Sequence, residues 1–137
     1  MCVTLRYLRS DSRWLSCLAL LLIIGCGDGA TVPPLGKVQG TVTLDGEPLP
    51  NAIVLFQPTT EKAGPSQGIT DSDGKYSLSY LPNHPGAALA EHKVMISAQS
   101  GAAAERDPVP AKYNDNSDLK VTVEAGDNTH DFELLSN

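Results

Sequence analysis

Ser66 has the sequence context of a nucleophile. It lies in Gly64-Pro65-Ser66-Gln67-Gly68, which matches the Gly-x-Ser-x-Gly elbow of serine hydrolases. That motif joins a strand to a helix on a large α/β sheet, which also positions an acid and a histidine. Here a polar loop precedes Ser66 and a strand pattern follows it, so a loop rich in turn-forming residues explains the match better. A hydrolase that uses Ser66 is therefore only the second alternative function.

His130 and Glu133 have the His-x-x-Glu spacing of a pair of zinc ligands. If their segment is a strand, alternation puts His130 on one face with Phe132 and puts Glu133 on the other face. Two ligands on opposite faces cannot hold one metal ion, and a third ligand would have to be His84 or His92. We therefore predict no metal ligand, and we find no coherent set of catalytic or cofactor-binding residues.

The segment Asp71-Ser72-Asp73-Gly74 begins like a calcium loop, whose hard carboxylate oxygens suit that ion. The EF-hand pattern has glycine at its sixth position and glutamate at its twelfth, where this chain has Tyr76 and Pro82. A hairpin turn is the better interpretation, because aspartate bonds to its own backbone and glycine accepts positive φ.

Exposed aromatic rings would favour glycan binding. The one tryptophan is Trp14, near the start of the chain, and Tyr76 and Tyr80 alternate with serines in a pattern that predicts a core-facing position. Tyr113, in a predicted loop, is the best candidate for an exposed ring. A carbohydrate-binding or adhesion module is the first alternative function.

The N-terminal segment has the composition of a signal peptide. Three arginines precede an apolar run, Trp14–Ile24, and the run closes on Gly25-Cys26. The run has 11 residues, whereas a membrane-spanning helix needs about 20. The ending resembles the lipobox of bacterial lipoproteins, in which the cysteine is diacylated and becomes the first residue after cleavage. This resemblance implies a signal helix within 1–25, lipid attachment at Cys26, a tether at 26–35 and a folded domain at 36–137.

Charge and cysteine content narrow the possible partners. Seven Lys and Arg and fifteen Asp and Glu follow Gly25, so the predicted mature chain has a net charge of −8. That sign argues against binding nucleic acid. The three cysteines are Cys2, Cys17 and Cys26, so processing and acylation would leave no free thiol for disulfides or thiolate chemistry.

The rest of the chain has the pattern of short strands separated by turns. Lys37–Leu44 alternates polar and apolar residues and is followed by Asp45-Gly46, a hairpin signal. Ala52–Phe56 is apolar on both faces, which predicts a central strand. Further strands are predicted at Lys75–Leu81, His92–Ser97, Leu119–Glu124 and His130–Leu134, and the last two are expected to form a closing hairpin.

These patterns predict an all-β fold: a single antiparallel β-sandwich of about seven short strands. The residues expected in its core are the apolar members of the predicted inward faces: Val42, Val54, Phe56, Tyr76, Leu78, Val94, Ile96, Val121, Val123 and Phe132.

Several turn motifs are similar to those of a known family. The carboxypeptidase regulatory-like domain, of the transthyretin-like β-sandwich class, resembles this chain in Gly40-Thr41-Val42, Pro48-Leu49-Pro50-Asn51-Ala52, Phe56-Gln57-Pro58 and Thr70–Tyr76. Val109–Asn114 resembles short lipoproteins that carry this domain in planctomycete-type bacteria. One departure is Leu89-Ala90-Glu91, where the family usually has Pro-Gly ahead of the glutamate.

The resemblance implies an extracytoplasmic accessory module without catalytic residues. We therefore expect a non-enzymatic binding or structural module of the cell envelope. It would be held on the cell membrane or outer membrane through acylated Cys26 and would face the periplasm or the exterior. Its partners would be membrane lipid and an unidentified envelope protein or glycan.

Overall fold

A computed structural model describes residues 31–98 and 107–137. Cys26, the predicted signal peptide and the start of the predicted tether lie outside the described residues. No helix in the part of the chain that the structure describes is long and apolar enough to cross a membrane. A 3₁₀ helix covers Ala111–Tyr113, and the strands are β1 Leu35–Leu44, β2 Glu47–Pro48, β3 Ala52–Pro58, β4 Ser66–Ile69, β5 Lys75–Ser77, β6 Ser79–Leu81, β7 His84–Pro85, β8 Ala87–Ala88, β9 Glu91–Ala98, β10 Lys120–Thr122, β11 Asp127–Thr129 and β12 Phe132–Leu134.

The first sheet is built around β1, which is ten residues long. On one flank, β1 pairs antiparallel with β8, β5 and β2 in turn. On the other flank, it pairs parallel with β11 and then with β12. A long strand whose side chains alternate between core and solvent can therefore organise five short partners, and this sheet is mixed rather than purely antiparallel.

The second sheet has the strand order β10-β9-β3-β4-β6-β7. As predicted, β3 is a central strand, and it pairs with β9 along its whole length from Ala52 to Pro58. The inward residues of β3 are fully buried, whereas Ile53 and Leu55 on its outer face are half-buried. The apolar residues on both faces therefore reflect the central place of this strand.

The core lies between the two sheets and confirms the predicted all-β sandwich. Nine of the ten predicted core residues are buried. Val121 is the exception: it is half-buried, because β10 is the edge strand of the second sheet and leaves its side chain partly uncovered. The buried apolar residues that were not predicted are Val38, Leu49, Ala52, Ala87, Ala88, Val109 and Leu134.

The predicted closing hairpin is wrong. Strand β10 pairs with β9 in the second sheet, whereas β11 and β12 pair with β1 in the first. The connection between the sheets is held by Asn128, whose Oδ1 accepts a bond from Glu124 N at 2.9 Å and whose Nδ2 donates to Glu124 O at 2.8 Å. These side-chain bonds take the place of the backbone ladder that a hairpin would have formed. Sequence alternation alone cannot distinguish a hairpin from two strands that join different sheets.

The predicted strand Lys75–Leu81 is divided between the two sheets at Leu78. Its first part, β5, pairs with β1, and its second part, β6, pairs with β4. Leu78 is buried, its N–H donates to Val38 O at 3.0 Å, and its carbonyl accepts from Gly86 N at 2.7 Å. The chain therefore passes from one sheet to the other without interrupting the alternation of buried and exposed side chains. For this reason the sequence pattern predicts a single strand.

Candidate functional site: a polar groove on the first sheet

The parallel ladder of the first sheet is interrupted at His130 and Asp131, between β11 and β12. The pairing ends at Gln39 and Thr129 and resumes in the same register at Val42 and Phe132. His130 still donates its N–H to Gln39 O at 3.0 Å. The interruption therefore changes the bonding of one peptide group without shifting the strands.

The carbonyl of His130 points towards the inner side of the sheet at Gly40. A Cβ atom at Gly40 would collide with this oxygen, so only glycine leaves room for it. The oxygen accepts a 2.7 Å hydrogen bond from the hydroxyl of Tyr76, the cross-strand partner of Gly40. A partly buried carbonyl without such a donor would be costly, so Gly40 and Tyr76 together stabilise this peptide orientation.

On the other side of the interruption, the side chain of Asp131 takes the place of a missing backbone acceptor. Its Oδ1 accepts a 2.8 Å hydrogen bond from the backbone N–H of Thr41. The side chain thus supplies the acceptor that the ladder lacks at this point. The bond holds the Asp131 carboxylate at the surface of the sheet, beside Thr41.

The outer face around this interruption carries two rows of polar side chains. In the first row, Gln39 is paired on one side with Thr129 and on the other with Ser77. In the second row, Thr41 lies between Asp131, through the bond described above, and Lys75, its cross-strand partner. We call these six residues the polar grid.

The polar grid lines a groove of about 650 Å³. Gly40, Tyr76, Ile69 and Asp71 complete the lining, and Ile69 is 54% exposed. The volume lies within the range of about 300–1,000 Å³ that is usual for small-ligand sites. The groove is therefore large enough for a small polar ligand, with one apolar contact at its wall.

Asp71 is fixed by the turn that the sequence predicts. Its Oδ1 accepts hydrogen bonds from Asp73 N and Lys75 N, both at 2.9 Å, and Gly74 has a φ of 73°. These bonds confirm the hairpin turn.

In the ranges 31–98 and 107–137, no group of three or more His, Cys, Asp or Glu residues is arranged to hold a metal ion.

The groove contains charges of both signs. Within the described part of the chain, the ion pair that forms is Lys120–Glu91, so Lys75 has no carboxylate within 4.0 Å. Burial raises the pKa of Tyr76, beneath the groove, and the negative charge of Asp131 raises it further. The grid therefore presents an ammonium group and a carboxylate on opposite sides of Thr41.

The residues singled out in the sequence do not form a common site. Ser66 lies within β4, is 1% exposed, and is paired across the strands with Phe56. The His130 ring packs 6.1 Å from the Phe56 ring, whereas Glu133 is exposed. His92 is fully buried, and His84 is exposed. His130 and Glu133 thus diverge as alternation predicts.

Tyr113, the predicted aromatic platform, is half-buried. Its hydroxyl accepts a hydrogen bond from Leu135 N at 3.2 Å, and Lys112 Nζ lies 5.0 Å from the centre of its ring. Tyr80 is also half-buried, with its hydroxyl accepting from Gly64 N at 3.1 Å. Both rings therefore have structural contacts, and neither lines the polar grid.

Sequence reasoning missed the polar grid. The available signal was the polar half of each alternating strand, which includes Gln39, Thr41, Lys75 and Ser77. Sequence alternation assigns these residues to an outer face but does not say which strands are neighbours. Their convergence depends on the pairing of β1 with β5.

Known proteins with solved structures have limited similarity to this chain. No protein-family model matches the chain, and no curated protein matches it. Among solved structures, a DUF3823 family protein from Parabacteroides merdae ATCC 43184 is 19% identical, with a TM-score of 0.45 over 74% of this chain and 46% of its own. One from Bacteroides ovatus ATCC 8483 is 20% identical, with a TM-score of 0.44 over 72% and 44%. This chain spans less than half the length of either protein.

Proposed function

We propose that the protein is a lipid-anchored, extracytoplasmic module of the cell envelope that binds a partner and does not catalyse a reaction. The observation that carries the proposal is Cys26, placed directly after Gly25 at the end of a short apolar run. A diacylated cysteine there would hold the domain on the cell membrane or outer membrane, because each buried methylene contributes about 0.8 kcal/mol.

The way the chain enters the sandwich is consistent with an anchor. Strand β1 begins at Leu35, nine positions after Cys26. Nine residues span at most about 30 Å, so an anchored domain would stay close to the membrane surface. The tether would lead directly into β1, which is hydrogen-bonded to five other strands, so the anchor would join the most extensively paired strand of the first sheet.

The positions of the sequence-derived catalytic candidates favour a binding role. Ser66 is buried within a strand, unlike the exposed serine at the strand-to-helix turn of a nucleophile elbow. The polar groove, by contrast, is open and carries fixed hydrogen-bonding groups. A hydrolase that uses Ser66 thus has less support than a binding module. Hydrolytic turnover by the wild-type protein that is abolished in a correctly folded Ser66→Ala variant would favour the hydrolase instead.

The test of the anchor is the intact mass of the protein recovered from the membrane fraction of a bacterial host. We expect a chain that begins at Cys26 and carries the mass of a diacylglycerol group. The Cys26→Ala protein should lack this mass and leave the membrane fraction. An unmodified wild-type chain in the soluble fraction would contradict the proposal.

A further inference from the structure

We propose that the polar grid binds a short segment of a glycan that bears amino groups. This inference rests on the binding role proposed above and names its site and ligand class. The site comprises Gln39, Thr41, Lys75, Ser77, Thr129 and Asp131, with Ile69 and Asp71 at the wall.

The spacing of the grid suits a ligand with many hydroxyl groups. Neighbouring strands lie about 4.8 Å apart, so the two rows present donors and acceptors at regular intervals over a span of about 10 Å. Gln39 and the three hydroxyl side chains each donate and accept hydrogen bonds. A ligand that offers both donors and acceptors along its length, as a sugar chain does, can satisfy several of them together.

The carboxylates of the groove are held in place before a ligand arrives. Thr41 N binds Oδ1 of Asp131, and the turn amides of residues 73 and 75 bind Oδ1 of Asp71. The hydrogen bonds found among the described residues use Oδ1 of each carboxylate, and Oδ2 has no hydrogen-bond partner among those residues. Fixed acceptors lose little conformational entropy on binding, and charge-assisted bonds are the stronger kind.

The balance of charge selects among glycans. Asp71 and Asp131 outnumber Lys75 in the groove, so a cationic amino group is favoured over an acidic substituent. Lys75 can bind a hydroxyl or carbonyl oxygen of the same chain. The exposed side chain of Ile69 offers an apolar surface against which the carbon face of a sugar ring can pack.

The experiment is calorimetric titration of the full-length protein in a polyoxyethylene detergent, which has no sugar headgroup. The probes are oligomers of glucosamine, of N-acetylglucosamine and of galacturonic acid, with triglycine as a zwitterionic peptide of similar size. We expect glucosamine oligomers to bind most tightly, the acidic oligomers most weakly, and the affinity for glucosamine oligomers to fall with added salt.

Asp131→Asn and Gln39→Ala are the test variants. Asparagine keeps an acceptor for Thr41 N and removes the charge, so we expect affinity for glucosamine oligomers to fall at least about tenfold while the unfolding midpoint is nearly unchanged. Gln39→Ala should weaken binding of charged and neutral oligomers alike. The matched controls are Asp127→Asn and Lys37→Gln, on exposed residues outside the groove, which should bind as wild type does.

Three outcomes would overturn the inference: no binding of any sugar oligomer at millimolar concentration, equal binding by Asp131→Asn and wild type, or tighter binding of triglycine than of sugars. Cys26→Ala separates this inference from the proposed anchor. It should bind the same oligomers with unchanged affinity, because the polar grid lies in the folded domain and excludes the tether.

Discussion

At the scale of single residues, two side-chain hydrogen bonds stabilise the interruption of the ladder beside Gly40. Gly40 leaves room for the carbonyl of His130, Tyr76 satisfies that carbonyl, and Asp131 replaces it as the acceptor for Thr41. Removing Tyr76 would leave the partly buried carbonyl of His130 without its donor, and removing Asp131 would leave the exposed N–H of Thr41 without its side-chain acceptor. The bond to Thr41 also holds the Asp131 carboxylate in the groove.

Tyr76→Phe tests the first of these hydrogen bonds, from Tyr76 to His130. At neutral pH, loss of the hydroxyl should lower the free energy of unfolding by about 1–2 kcal/mol, because His130 O loses its buried donor. The folded state raises the pKa of Tyr76, so it holds the phenol proton more tightly than the unfolded chain does. The contribution of Tyr76 to stability is therefore present below about pH 10, the ordinary tyrosine pKa, and is lost as the pH rises above it.

Urea unfolding of wild type and Tyr76→Phe at pH 7.5 and pH 11 provides the measurement. The wild-type advantage should shrink at the higher pH. An equal difference at both values would show that the phenol proton is not linked to folding.

Gly40→Ala tests the close approach of His130. The added methyl group would meet the carbonyl oxygen of His130, so the strand must shift, at a cost of about 1–3 kcal/mol. Gly64→Ala is the matched control, because its Cβ would lie 3.4 Å from the Tyr80 hydroxyl, an ordinary contact. Thermal unfolding of both variants should show a clearly lower midpoint for Gly40→Ala, and equal midpoints would refute the steric argument.

At the scale of elements, the two sheets meet through aromatic rings. Phe56 of β3 in the second sheet is fully buried, and its ring lies 6.3 Å from that of Phe132 of β12 in the first sheet, in an edge-on arrangement. Phe132 also stacks on Tyr76 of β5 at 6.3 Å. The rings therefore connect the central strand of one sheet to the strands that flank β1 in the other.

Phe56→Ala and Phe132→Ala should each lower the free energy of unfolding by about 3–5 kcal/mol, because each leaves a cavity at the junction of the sheets. The double variant should lose less than the two single losses combined, since the rings contact each other and such pairs couple by about 0.5–1.5 kcal/mol. Urea unfolding of the four proteins measures this. Losses below about 1 kcal/mol at both positions would show that the rings do not hold the sheets together.

At the scale of the whole molecule, each sheet of the described domain is built around one strand: β1 in the first sheet and β3 in the second. The chain passes between the two sheets repeatedly, including at Leu78 and after β10, so segments of the two sheets alternate along the sequence. This connectivity favours unfolding of the described residues 32–98 and 107–137 in a single cooperative step. We propose that the lipid anchor at Cys26 holds this domain at a membrane and that the polar grid binds its glycan ligand.

The amino-acid sequence alone determined the longer strands, two turns and part of the core. Alternation identified β1 and β9, the apolar run Ala52–Phe56 identified β3, the Asp-Gly pairs marked turns, and nine of the ten predicted core residues are buried. These features are local, because side-chain period and turn conformation depend on residues close together in the chain. The predicted lipid attachment at Cys26 likewise rests on a local pattern.

Only the tertiary structure decided which strands are neighbours. Leu119–Glu124 and His130–Leu134 have the pattern of a hairpin, yet their strands join different sheets, and Lys75–Leu81 is divided at Leu78 although its alternation is unbroken. The polar grid follows from the same long-range pairings, which bring Thr129 and Asp131 beside Gln39 and Thr41. Pairing between segments some 90 residues apart depends on the shape and burial of the whole sandwich. The alternation of side chains within one strand does not specify which strand will pair with it.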